Sequence, residues 1–304
     1  MIELIIMTLF LVDVVSPKLA LVESFNENYS LQRKADLVDL TPDNTNPGWK
    51  IIISHQAEKK SDNVYPTQSK ANLAFDLDSG LVLDSSNKDK QLPIASLTKL
   101  MTAYLTLKNS SMDKILTVPD FETRLGDSQA GLIPGEQITV QSALYGLLLN
   151  SGSDAAQTLA TEIGGTQNGF VEKMNQTANT LNLQNSHFEN AVGWDANQNY
   201  SSAEDIATLT RILLTNNDFS KIVSTKKVAI YTLSGREIIF TNTNLLLNNN
   251  FLGVKTGYTP GAGECLVSDY RAENHSLLTV LMGSNNRFEE TKTYLDWIKS
   301  QFLW

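Results

Sequence analysis

The 304-residue sequence predicts an α+β fold, an antiparallel sheet flanked by helices with an all-helical insertion, on three observations. Segments that alternate apolar and polar residues lie at both ends of the region that begins at Ala71. Between them, from Ser96 to about Asn216, apolar residues recur at spacings of three and four. An amphipathic run, Thr291–Phe302, closes the chain as a helix.

Residues 1–16 read as an apolar signal or membrane-anchor segment, because Ile2–Val15 is apolar apart from Glu3 and Asp13. No basic residue precedes it, and it is shorter than the about 20 residues that span a bilayer, so it fits neither the secretory nor the spanning pattern cleanly. Export with an amino-terminal membrane tether is the preferred reading, and a buried amphipathic helix the alternative. Residues 17–70 read as a polar spacer arm rich in Asn, Asp, Ser and Pro, with only Trp49–Ser54 strand-like. Residues 71–304 form the globular domain. It opens with a hairpin around Asp78-Ser79-Gly80. Helices follow around Leu97–Leu105, Leu144–Leu148, Ala155–Ile163, Phe170–Leu181 and Ile206–Leu214, the last behind a capping-box pattern at Ser202–Asp205. A second hairpin joins Lys227–Leu233 to Glu237–Thr241, and Glu264–Tyr270 and Leu277–Gly283 are strand-like around the polar Ala272–His275 turn.

Composition narrows the function classes. Hydrophobic residues make up 41% and charged residues 19%, which is globular and excludes a disordered scaffold. The balance of 24 basic against 33 acidic residues gives −9, so no global field draws phosphate backbones, and no nucleic-acid partner is expected. Cys265 alone can form no internal disulfide, and His55, His187 and His275 sit in no zinc pattern, so no metal and no cofactor are expected. The histidines and Cys265 read as structural, Cys265 as a small buried hydrophobe.

Three short elements can carry chemistry. In Pro93-Ile-Ala-Ser96-Leu-Thr-Lys99, a serine and a lysine three apart at a helix start share a face, so the amine reaches the hydroxyl. A desolvated lysine can serve as the base a serine nucleophile needs, and helix amino-terminal N–H groups suit an oxyanion at Ser96. Alone, the pair is a weak signal and reads first as an N-cap serine and a solvated lysine. In Val254-Lys255-Thr256-Gly257, strand spacing puts Lys255 and Gly257 on one face, where glycine lets a backbone approach closely. In Asn150-Ser151-Gly152-Ser153-Asp154, two hydroxyls lie in a link between helices, although Ser153 or Asp154 could simply cap the second helix.

In this order and spacing the elements resemble the SxxK, SxN and KTG set of the penicillin-binding and serine β-lactamase superfamily, and most closely its low-molecular-weight D-alanyl-D-alanine carboxypeptidases. The blocks PIASLTKLMTAYL, GLLLNSGSDAA, HFENAVGWD, YSSAEDIA, TNTNLLL and GVKTGYTPGAGECLVSDYR extend the resemblance from about Ala71 to the carboxyl terminus. It implies a β-lactamase/transpeptidase-like sheet with an all-helical subdomain, and no carboxyl-terminal β domain is expected. It implies an extracytoplasmic enzyme acting on peptidoglycan stem peptides ending in D-Ala-D-Ala, with β-lactams as inhibitors. By resemblance Ser96 is the nucleophile, Lys99 its base, and Ser151 the serine that relays a proton to the leaving amine. Lys255 and Thr256 bind the terminal carboxylate and Lys255 depresses the pKa of Lys99. Gly257 leads to the second oxyanion N–H, at Thr259 or its neighbour.

One position departs from the pattern. Ser153 stands where the family has Asn, replacing a carboxamide with one shorter hydroxyl among the substrate-binding residues. Losing one polar contact costs about 1–3 kcal/mol, roughly ten- to hundredfold in rate, so the sequence predicts an active but slow enzyme. A weakened peptidoglycan-binding homologue is the alternative of a different class. A β-lactamase is disfavoured because Glu189-Asn190 does not fit the deacylating glutamate's context.

Overall fold

The structure is a computed structural model that describes residues 58–60, 63–248, 250–271 and 275–303; the apolar segment, most of the arm and Trp49–Ser54 lie outside the described residues. Ala71–Asp76 (β1) and Val82–Ser86 (β2) form the first hairpin. The Asp76 carboxylate accepts from the Asp78 N–H at 3.0 Å and the Ser79 hydroxyl at 2.5 Å, and Gly80 takes φ +77°, so the turn residues close it as their chemistry dictates.

Helices then follow in the predicted order. A 3-10 turn, Ala95–Thr98, runs into Lys99–Asn109 (α1). Val140–Leu148 (α2) is capped by Thr139, Ser153–Gly164 (α3) starts at Gly152, and Gln167–Thr180 (α4) is capped by Thr166. Ala203–Leu214 (α5) begins at the expected Ser202 cap, whose hydroxyl accepts from the Asp205 N–H. Only half of the capping box forms, because the Asp205 carboxylate accepts instead from the Asn185 N–H and the Ser186 hydroxyl. Asn217–Val223 (α6) had no signal: seven residues are too few to show a period, and the Asn216 cap and buried Phe219, Ile222 and Val223 hold it.

Phe251–Thr259 (β3), Gly263–Arg271 (β4) and Ser276–Ser284 (β5) complete a five-stranded antiparallel sheet in the order β3-β4-β5-β1-β2. The predicted second hairpin, Lys227–Tyr231 with Glu237–Thr241, stands apart as a two-stranded ribbon. Leu73, Phe75, Val267, Leu278 and Val280 on one sheet face join the large core with the helical block. Ala74, Leu277 and Leu281 on the other face pack on Tyr294, Leu295 and Ile298 of the closing helix, Arg287–Gln301 (α7). The strands therefore alternate between two buried faces, the layered arrangement the sequence predicts.

The end of the expected arm differs from the reading. Tyr65 packs on Tyr294 with ring centroids 4.6 Å apart, and Glu290 accepts from the N–H groups of Gln68 and Ser69 and the hydroxyls of Thr67 and Ser69. Glu58–Lys59 pairs with Phe302–Leu303. Folded structure thus precedes Ala71, and polar composition hid it because the contacts are mostly hydrogen bonds to a buried carboxylate.

Candidate active site

Ser96 lies in the 3-10 turn, and the reversal before it uses Ala95 at φ +47°, a conformation a residue with a Cβ seldom adopts. Lys99, the first residue of α1, is 1% exposed, and its Nζ donates to Ser96 Oγ at 3.0 Å and to the Val192 carbonyl at 2.6 Å. Burial lowers its pKa to about 7 against the opposing pull of Asp127 and Asp154, leaving a large fraction of neutral amine near neutral pH. The solvated-lysine reading is thereby excluded.

Ser151 sits in the link between α2 and α3 at φ +59°, and its Oγ accepts from Lys255 Nζ at 2.9 Å. Neither Ser153 nor Asp154 caps α3: the cap is Gly152, and Ser153 is the first helical residue, 2% exposed, with its N–H donating to the Ser128 carbonyl. The buried Asp154 carboxylate accepts from the Ala130 N–H at 2.8 Å and the Leu132 N–H at 2.9 Å, tying the Gly126–Glu136 segment to the serine link.

Lys255, Thr256 and Gly257 lie on β3, the edge strand of the sheet. A Cβ on Gly257 would come within 3.1 Å of the Ser96 nitrogen and 3.2 Å of Ala95 Cβ, so this glycine lets the strand backbone reach the Ser96 turn. Lys255 is 1% exposed, and burial, then the charges of Lys99 and Arg287, hold its pKa well below the ordinary lysine range. The like-charge effect therefore bears on Lys255, while burial does most at Lys99. Cys265, opposite Gly257 across β3 and β4, is buried, and burial pushes its thiol up to about 11, as a small apolar filler requires.

Three contributors were not singled out from sequence. Arg287, at the start of α7, donates from Nη1 to the Gly257 carbonyl at 2.7 Å, which places a third cation behind the strand. Thr243 Oγ1 lies 2.6 Å from Thr256 Oγ1. Asn190–Asp195 crosses from Lys99, through the Val192 carbonyl, to the turn after β3, where Asp195 accepts from the Thr259 hydroxyl at 2.6 Å and the Gly261 N–H at 3.0 Å. Two of these segments fall in the blocks HFENAVGWD and TNTNLLL, but their partners are distant in the chain, so no local spacing marks the contacts.

The profile of the D-alanyl-D-alanine carboxypeptidase family matches residues 56–286. The chain belongs to this family. It is 32% identical over 246 residues to D-alanyl-D-alanine carboxypeptidase DacF of Bacillus subtilis, a match covering 77% of this chain and 63% of that one. It is 35% identical over 246 residues to DacD of Escherichia coli, covering 75% and 62%. The chain thus spans under two thirds of the length of these carboxypeptidases. Among solved structures, a Streptomyces DD-transpeptidase superposes with TM-score 0.74 at 29% identity, over 78% of this chain and 99% of that one. Penicillin-binding protein 6B from Escherichia coli gives TM-score 0.71 at 33% identity, over 80% and 81%. The family match begins at residue 56, in keeping with folded structure ahead of Ala71.

Proposed function

We propose that this chain is a serine-type D-alanyl-D-alanine carboxypeptidase that removes the terminal D-alanine of peptidoglycan stem peptides outside the cytoplasm. The observation that carries the reading is a pair of buried lysine–serine contacts, Lys99 on Ser96 at 3.0 Å and Lys255 on Ser151 at 2.9 Å, joined where Gly257 meets the Ser96 nitrogen. Neutral Lys99 takes the Ser96 hydroxyl proton as Oγ attacks the carbonyl between the last two D-alanines. The oxyanion faces the Ser96 N–H and an N–H beyond Gly257. The proton that Lys99 has taken reaches the leaving amine by way of Ser151, which Lys255 Nζ holds by a hydrogen bond; water then attacks the acyl-enzyme, gives one proton back to Ser96 Oγ and leaves the peptide as its carboxylic acid, with Lys99 again neutral. The substrate lies along the edge of β3 as an added strand, with its carboxylate at Lys255 and Thr256. An arriving carboxylate favours the ammonium form of Lys255 that burial opposes. A β-lactam enters by the same attack and stays as an inhibitor.

A β-lactamase would need a free deacylating glutamate, and Glu189 accepts from the Gln198 N–H at 2.9 Å in an exposed turn. The amino-terminal tether remains a proposal for residues 1–16; among the described residues no helix is long and apolar enough to cross a membrane. The reading is tested by incubating the chain with a peptide ending in D-Ala-D-Ala and measuring free D-alanine. Release that vanishes in Ser96→Ala supports it. Binding to peptidoglycan without release would favour the weakened homologue instead, and rapid penicillin hydrolysis the β-lactamase.

A further inference from the structure

Asn190 sits in no catalytic motif, yet its side chain is among the most heavily used polar groups near Lys99. Its Oδ1 accepts from three successive backbone N–H groups, Val192 at 3.1 Å, Gly193 at 2.6 Å and Trp194 at 3.0 Å, while its Nδ2 donates to the Trp194 carbonyl at 3.2 Å. An Asx side chain that gathers three N–H groups fixes the direction of the carbonyls between them. One of those carbonyls, Val192, accepts from Lys99 Nζ at 2.6 Å. Gly193, at φ +96°, lies so close that a Cβ there would reach within 2.0 Å of the Ala95 carbonyl. The same loop is held independently by the Thr102 hydroxyl on the Ala191 carbonyl at 2.8 Å and by Asp195 on Thr259 and Gly261.

A neutral amine has two N–H donors and one lone pair. When one N–H is committed to the Val192 carbonyl, rotation about the last side-chain bond is stopped, and the lone pair can be held toward Ser96 Oγ at 3.0 Å. We infer that Asn190 is a positioning residue for the base: through the Val192 carbonyl it aims the Lys99 lone pair at the Ser96 hydroxyl. This rests on the proposed hydrolase reading and adds to it a residue outside the three motifs. Lys99 is faced by Lys255 from β3, with Arg287 behind it, by Asp127 from the Gly126–Glu136 segment, and by Asp154 from α3. None of these charges touches the amine in place of Val192, so the aim is set by the loop.

The test is stopped-flow acylation of the full chain by a fluorescent penicillin, with initial binding and limiting acylation rate resolved separately across the pH profile. Asn190→Ala should lower the limiting rate about tenfold or more while initial binding changes less than about threefold. The loop stays anchored at Thr102 and Asp195, so the variant folds. Asn190→Asp keeps the acceptor oxygen and should restore most of the rate, with the acid limb moved to higher pH because a new carboxylate favours the Lys99 ammonium. An unchanged rate in Asn190→Ala, or binding and rate falling together without recovery in Asn190→Asp, overturns the assignment while leaving the hydrolase reading intact. A wild-type chain that forms no adduct overturns that reading and this one with it.

Discussion

At the scale of single residues, the proposed reaction turns on Lys99. Its pKa is lowered to about 7 by burial, and only the neutral amine can accept the Ser96 proton, so the acylation rate should climb as pH rises through about 7. A rate that is flat through this range in a pH series of penicillin acylation would exclude Lys99 as the base. Ser153 offers the second residue-scale prediction. Ser153→Asn restores the carboxamide of the family pattern, and acylation should rise by roughly ten- to hundredfold; no gain would show that the serine already suffices. Ser96 and Lys99 were legible as a pair because a three-residue spacing at a helix start puts both side chains on one face, whereas Ser151 and Lys255, 104 positions apart, were singled out together only by the family resemblance. Arg287 was not, because what makes it matter is a bond to the Gly257 main-chain carbonyl thirty positions away.

At the scale of elements, the site is assembled by close backbone approach and by buried carboxylates. The Asp154 side chain satisfies the N–H groups of Ala130 and Leu132, which no other element reaches in the loop that flanks Ser153. Asp154→Ala should therefore cost about 2–5 kcal/mol, read as a fall in the urea midpoint, whereas Asp154→Asn should cost less. A near-neutral alanine variant would mean that the loop is held some other way. Gly193 is the sharper case. Its φ of +96° and the 2.0 Å approach to the Ala95 carbonyl leave no space for a methyl group, so Gly193→Ala should displace the Ser96 turn and lower penicillin acylation at least about tenfold. Helix and strand order could be read from periodicity, and the hairpin turn from Asp-Ser-Gly. The Asn190–Asp195 crossing could not, because the partners it reaches, Lys99, Thr259 and Gly261, lie far away in the chain and no local period marks them.

At the scale of the whole molecule, the sheet separates two cores, and α7 fastens the far one. Its Glu290 draws residues 67–69 onto the domain. Burial raises the pKa of that carboxyl, but hydrogen bonds from Ser284, Ser69, Thr67 and Gln68 outweigh it, and the net shift is downward. A carboxyl depressed in the folded state adds stability at pH above its unfolded value and loses it as pH falls through the folded one. Thermal melts should thus show the Glu290→Gln variant destabilised near neutral pH, with the gap closing toward strongly acidic pH. A gap that stays constant would place the clamp's worth elsewhere. The domain start at Ala71 missed this clamp because the sequence marks cores by apolar period, and here one acidic side chain on α7 gathers a polar strand. The strand carrying Lys255-Thr256-Gly257 lies at the edge of the sheet, and the central claim is that a substrate backbone adds along it and that Ser96 attacks what binds there. Intact-mass spectrometry with peptide mapping after incubation with benzylpenicillin tests this most directly. The account predicts one penicilloyl adduct on the peptide containing Ser96, absent from Ser96→Ala; no adduct, or one that survives that substitution, would contradict it.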